Sequence, residues 1–304
     1  MELKQINDYC YYFKGAVNIG YVRKGDSGML VDAGIDTQTM KKVLRQLDEQ
    51  SLPVTHLFIT HAHSDHYGGG SYLQQDRSIY TFAPYYEEAI LRNPSLEPLY
   101  LFGGNDPLPE LRNKFLEGKP IFIDEVLQEG VYERDGFHFT TYMMPGHSYY
   151  QLAVLIHDTL YAGDAYFSED NLQKHGIPFL TDAYHTIQSL YRVKDIQCDG
   201  AVPGHGEYEM DFHPTVDANI AYHHELLHMM MQYIEDHEPV SHEAIIAYMC
   251  ETFQVRVKEL AQWLLFRTAV TGYLIALLKQ ERVEYSIDQY RWMFQLKNKE
   301  KREA

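Results

Sequence analysis

Cysteine is nearly missing from this chain, with three in 304 residues. Cys10, Cys198 and Cys250 lie far apart and in no C-x-x-C spacing, which argues against a disulfide framework and against a thiolate zinc site. Basic side chains are also scarce. Lys and Arg number 26 against 43 Asp and Glu, a net charge of −17, whereas a phosphate-tracking surface needs the opposite balance. The deficit lies in residues 1–237, with 34 acidic against 16 basic, while residues 238–304 carry 9 against 10. The opening MELKQINDYCYYFKG lacks a basic stretch followed by an apolar one, so no signal peptide is expected. No apolar run reads as long as a membrane span. These absences point to a cytoplasmic protein that acts on a small molecule, without a membrane or nucleic-acid partner, and they leave room for a homodimer.

What is present is an alternation of strands and helices. Residues 9–24 alternate around Gly15 and Gly20 as short antiparallel strands, and Met29-Leu30-Val31 turns at Asp32-Ala33-Gly34. Met40, Val43, Leu44 and Leu47 give residues 37–50 helical spacing. Strands are expected at Val54 to Thr60, Ile79 to Phe82, Ile121 to Ile123, Phe137 to Met143, Leu152 to Ile156 and Thr159 to Ala162, with residues 182–194 helical. This order implies a layered α/β fold. Residues 84–120, rich in proline and aromatics, read as an insertion of short helices and loops, the kind of segment that shapes substrate pockets. From residue 214 the texture turns helical (Val216 to Asp236, His242 to Phe253, Val257 to Gln280) and ends in RVEYSIDQYRWMFQLK, which alternates as a hairpin. Three helices and a hairpin resemble a winged-helix layout. The expected division is therefore 1–213, catalytic, and 214–304, a mainly helical extension.

The chemistry concentrates in four places. LFITHAHSDHYGGG sets His61, His63, Asp65 and His66 directly behind a buried strand. In extended chain, residues two apart point the same way, so His61 and His63 can reach one ion while Asp65 and His66, on the following turn, reach a second. Imidazole and carboxylate suit Zn²⁺, Fe²⁺ or Mn²⁺ in hydrolytic centres. Three further fragments place a ligand-type residue beside glycine after a strand: Pro145-Gly146-His147-Ser148, Ala162-Gly163-Asp164 and Pro203-Gly204-His205-Gly206. One such fragment is an ordinary turn. Three of them in order behind HAHSDH are not.

HxHxDH, PGHS, AGD and PGHG in this order resemble the metallo-β-lactamase superfamily, across residues 15–210. The resemblance implies an αββα sandwich with a helical C-terminal extension. It also implies two divalent ions, zinc with Fe²⁺ or Mn²⁺ as alternatives. His61, His63 and His147 would hold one ion, Asp65, His66 and His205 the other, and Asp164 would bridge them. Asp32, in VDAG, matches an aspartate that orients a ligand imidazole. Such a pair of ions makes a bridging hydroxide at neutral pH, and Asp65 is the residue given a part in proton handling.

The expected reaction is hydrolysis of a small ester, thioester or lactone. Tyr85, Tyr100, Phe102, Tyr149 and Phe167 are the aromatic residues expected in its pocket. A glyoxalase II-like thioesterase fits the motif, though no basic clamp for glutathione is evident. Lactonases of this family carry Tyr three residues after the bridging Asp, where this chain has Phe167 next to Tyr166. Mononuclear iron persulfide dioxygenases share the ligand pattern, and single-strand RNA endonucleases with a winged-helix-like tail are the other alternative, disfavoured by the acidic charge. His224-Glu225-Leu226-Leu227-His228 is formally HExxH, but it reads as the solvent face of an amphipathic helix, with His223 and His237 in the same class.

Overall fold

The computed structural model describes residues 1–297. Strands β1 (Glu2–Gln5), β2 (Cys10–Lys14), β3 (Ile19–Lys24) and β4 (Ser27–Val31) form an antiparallel meander. Helix α1 (Thr37–Glu49) follows, its first turn capped by the Asp36 carboxylate accepting from Thr39 N at 3.0 Å. Strand β5 (His56–Phe58) joins β4 in parallel, and helices α2 (Ser64–Tyr67) and α3 (Gly70–Asp76) lead to the parallel strand β6 (Tyr80–Pro84). Two short helices, α4 (Glu87–Arg92) and α5 (Leu96–Leu101), occupy the inserted segment before β7 (Glu125–Leu127) closes a seven-stranded sheet.

The second sheet has five strands: β8 (Gly130–Arg134), β9 (Phe137–Met143), β10 (Leu152–Ile156), β11 (Thr159–Gly163) and, beyond α6 (Glu169–His175) and α7 (Ala183–Asp195), β12 (Gly200–Pro203) parallel to β11. The period-two alternation explains the layers. Met29 and Val31 of β4 and Phe58 of β5 face Phe137, Phe139, Leu152 and Val154 of the other sheet, while Leu30 and Leu57 face α1 and α3 on the outside. Behind the second sheet, Ala153, Leu160 and Ala201 pack against Leu190 and Val193 of α7. The result is helix, sheet, sheet, helix.

The chain then continues as α8 (His213–His237), β13 (Val240–Ser241), α9 (His242–Thr252), α10 (Leu260–Lys279) and the hairpin β14 (Val283–Asp288) and β15 (Arg291–Leu296), with β13 pairing to β15. Its core is shared with the preceding sandwich: Ile177, Leu180, Ala183 and Ile187 lie in the same cluster as Leu226, Met230, Tyr273 and Phe294. Leu101, Leu111 and Leu116 of the insertion meet Ala261 and Leu264 of α10.

Three expectations are corrected. Ile121-Phe122-Ile123 is not a strand, because Phe122 N donates to the Gln74 side chain and Ile121 N to Leu91 O instead of to a ladder. Helix α10 is long and apolar enough to cross a membrane by length and composition, contrary to the reading that no such stretch exists, and half of it is buried inside the fold. His223 is not on the solvent face. It is 2% exposed and bonds the Tyr273 hydroxyl at 2.7 Å, whereas His224, Glu225 and His228 are exposed.

Burial pushes the His223 pKa down to about 4, with His224 adding to the shift. The folded protein therefore resists a proton that the unfolded chain takes up below the ordinary histidine value of 6.5. Stability from this residue is complete above that pH, declines as pH falls toward 4, and amounts to about 3 kcal/mol at full loss. Denaturant titrations at a series of pH values should show this decline, and His223→Leu should flatten it. A decline of the same size in the variant would contradict the assignment.

Candidate metal centre

The site lies where carboxyl ends of parallel strands gather. Asp32 follows β4, His61 to His66 follow β5, His147 follows β9, Asp164 follows β11 and His205 follows β12. Parallel pairing of β4 with β5 and of β11 with β12 brings these ends to one edge of the sandwich. Close backbone approach is part of the design. Gly204 packs so tightly that an added Cβ would lie 2.0 Å from Asp164 Oδ1, and Gly146, at φ 128°, would drive one into Thr186.

All seven sequence-derived ligand positions converge. His61, His63 and His147 form one group, Asp65, His66 and His205 a second, and His61, His66 and Asp164 a third, with ligand atoms in each group within 4.8 Å of one another. His63 Nδ1 lies 3.0 Å from His61 Nε2 and 2.9 Å from His147 Nε2. Asp164 stands in the middle, its carboxylate oxygens 3.3 Å from His66 Nε2, 3.3 Å from His147 Nε2 and 3.4 Å from His205 Nε2. Asp65 Oδ2 is 3.6 Å from His205 Nε2.

The outer nitrogens decide whether a cation fits. His66 Nδ1 is 2.7 Å from Asp32 Oδ2, His205 Nδ1 is 2.7 Å from Ala16 O, and His147 Nδ1 is 3.0 Å from Phe179 O. These partners only accept, so each outer nitrogen carries the proton and each Nε2 turns a bare lone pair inward. His61 is fixed through Thr60. The Thr60 hydroxyl donates to Asp32 Oδ2 at 2.9 Å and so accepts from His61 Nδ1 at 3.0 Å. Asp32 thus orients His66 directly and His61 through Thr60, from a backbone at φ 66°. His66 Nε2 and Asp164 Oδ1 are buried without a hydrogen-bond partner. Converging lone pairs and orphaned buried polar atoms are what a divalent cation would satisfy, and the nitrogen and oxygen set suits Zn²⁺, Fe²⁺ or Mn²⁺.

Electrostatics divides the cluster in two. Burial holds His63 down to about 4 and His147 down to about 3, and lowers His61 well below its ordinary value. At His66 burial acts the same way but is outweighed by Asp164, Asp32 and Asp65, so its pKa rises; at His205 Asp164 has the same effect. Asp164 is held well below the usual carboxylate range because His205, His66 and His147 outweigh its burial.

Above the ligands opens a cavity of about 460 Å³. Phe167 lines it, as expected, together with Phe115, Phe179, Leu265 and Phe266, and Arg256, Gln262 and Asn171 supply polar groups. Tyr100 and Tyr149 line a neighbouring cavity of about 420 Å³ that also touches His63 and Glu97. Tyr85 and Phe102 line neither: Tyr85 packs edge-on against Tyr86 and Tyr150, and Phe102 packs with the Leu101–Leu264 cluster. Tyr166 is buried against Phe212. The sequence led to the insertion and the helical tail as walls of the pocket, and both line it, but it did not single out Thr60, Glu87, Glu97, Arg256 or Phe266. Only Thr60, beside the motif, carried a signal in the sequence.

The family model described as "Metallo-beta-lactamase superfamily" matches residues 12–205. The chain belongs to that superfamily. Among curated relatives it is similar to "Lactamase-like protein adaB" of Aspergillus niger, 23% identical over 191 residues, covering 62% of this chain and 49% of that protein. "Thioesterase pkgB" of Emericella nidulans is 23% identical over 203 residues, 66% of this chain and 48% of that protein. The chain thus spans about half the length of the curated relatives it matches. A beta-lactamase domain protein from Burkholderia ambifaria shares the fold at TM-score 0.74 and 15% identity, covering 97% of this chain and 93% of that one. So does a metallo-beta-lactamase family protein from Thermus thermophilus, at 0.69 and 18%, covering 92% and 93%.

Proposed function

We propose that the protein is a metal-dependent hydrolase of a small, partly apolar ester, thioester or lactone, with thioesters the first class to try. One observation carries this reading: the inner ring nitrogens and the Asp164 carboxylate converge at the floor of an apolar cavity. Two relatives named as thioesterases, pkgB and an atrochrysone carboxyl ACP thioesterase of Emericella nidulans, support the choice of bond.

His61, His63 and His147 would hold one divalent ion and Asp65, His66 and His205 a second, with Asp164 between them; zinc is our assignment, and Fe²⁺ or Mn²⁺ are the alternatives. When bound, such ions supply the charge that polarises a carbonyl and lowers the pKa of a water molecule. The rest falls to the chain itself. Phe167, Phe179, Leu265 and Phe266 exclude solvent around the acyl group, and Arg256 and Gln262 receive a polar end of the substrate. Asp65 lines the cavity and remains partly exposed, placed to pass a proton from the attacking water to the leaving group.

The test is a panel of p-nitrophenyl esters, acyl thioesters and lactones, run with zinc- and manganese-loaded protein. Turnover of at least one class, indifferent to added salt for neutral substrates, is expected. Inactivity across the panel with cleavage of single-stranded RNA would replace this reading with a nuclease.

A further inference from the structure

Glu87 stands at the start of α4, within the inserted segment and remote in sequence from every metal motif. It is 3% exposed. Its Oε2 accepts from Ala62 N at 2.9 Å, the amide between His61 and His63. Its Oε1 accepts from Ser148 Oγ at 2.8 Å and from Tyr150 N at 2.9 Å, immediately beyond His147. One carboxylate therefore ties together the two loops that carry the three-histidine group, and none of these bonds serves its own helix.

A second observation is independent of these bonds. Tyr86, the residue before it, has φ 68° and ψ −46°, a conformation that a non-glycine residue adopts only when its surroundings enforce it. That turn sends Glu87 inward while the Tyr86 ring packs outside against Tyr149 at 5.6 Å and Tyr150 at 5.7 Å. Adjacent residues thus grip the His147 loop from opposite sides. A buried acid with only a local role would bond its own helix N-terminus, and this one does not.

We infer that Glu87 is the positioning residue that sets the separation of the His61–His63 and His147 loops, and so the affinity of the three-histidine site for a divalent ion. This rests on reading those histidines as metal ligands. Glu87→Gln keeps the shape of the side chain but turns an NH₂ group toward one of the loop amides, leaving a donor facing a donor. Glu87→Ala removes all three bonds.

The experiment titrates metal-free protein with Co²⁺ alone, in competition with a chelator. The cobalt absorption that disappears in His63→Ala defines the three-histidine site. Glu87→Gln should bind there about 10-fold more weakly and Glu87→Ala about 100-fold, the range found when an outer partner of a ligand is removed. The Asp65, His66 and His205 site should keep its affinity. Tyr21→Phe, which loses a part-buried hydrogen bond from β3 to Pro53 O, should leave both sites unchanged. If Glu87→Ala does not fold, Glu87→Gln alone decides. A folded Glu87→Gln with wild-type affinity, or an equal loss at both sites, overturns the proposal and leaves the metal assignment standing. Wild type that takes up no cobalt overturns both.

Discussion

Asp164→Ala should lower turnover by at least about 10³-fold and, on the proposed two-ion reading, reduce bound metal toward one ion. The expectation follows from position. Asp164 is 4% exposed and approaches histidines of both groups, His147 on one side and His66 and His205 on the other, at 3.3 to 3.4 Å. Alanine removes the carboxylate that faces histidines of both groups. Gly204 lies against the Asp164 carboxylate and has no side chain that could take its place. Asp164→Asn separates charge from shape: it should fold as wild type and still lose most of the turnover. Metal analysis beside steady-state kinetics reads both effects. Unchanged metal content and unchanged rate in Asp164→Ala would remove the bridging role.

The candidate metal-binding residues were legible in the sequence for a physical reason. Ligands must sit on rigid supports, rigid supports end where strands end, and so HAHSDH, PGHS, AGD and PGHG each follow an apolar run. The layers were legible too, because Met29, Leu30 and Val31 alternate between two apolar environments. Glu87 was not. It stands beside Glu88, which pairs with Arg92 on the surface, and only burial distinguishes the two acids. The pocket aromatics were read in part. Phe167 does line the cavity, but Phe179 and Phe115 reach it from irregular chain that periodicity does not encode, and Phe266 reaches it from helix α10 of the tail. Tyr85 and Phe102 share the composition of pocket residues without their direction.

His223 shows a signal that was present and misweighed. It falls three residues after Ile220 and four before Leu227, both buried, so helical spacing puts it on the apolar stripe of α8. The formal HExxH drew the eye to His224 and His228, which the same spacing puts outside. Motif and periodicity disagreed, and periodicity was right.

Removing the metal should have the largest effect of all. Arranged lone pairs without a cation have no means of activating water. Burial lowers the proton affinity of His61, His63 and His147, which makes each a poor base toward water unaided. Chelation followed by dialysis should therefore reduce turnover of the best panel substrate by more than about 10³-fold. Zn²⁺, Mn²⁺ or Fe²⁺ added back at two ions per chain should restore it, and the amount needed identifies one working ion or two. Turnover that persists undiminished in protein shown by elemental analysis to be free of transition metal would contradict the account at its centre.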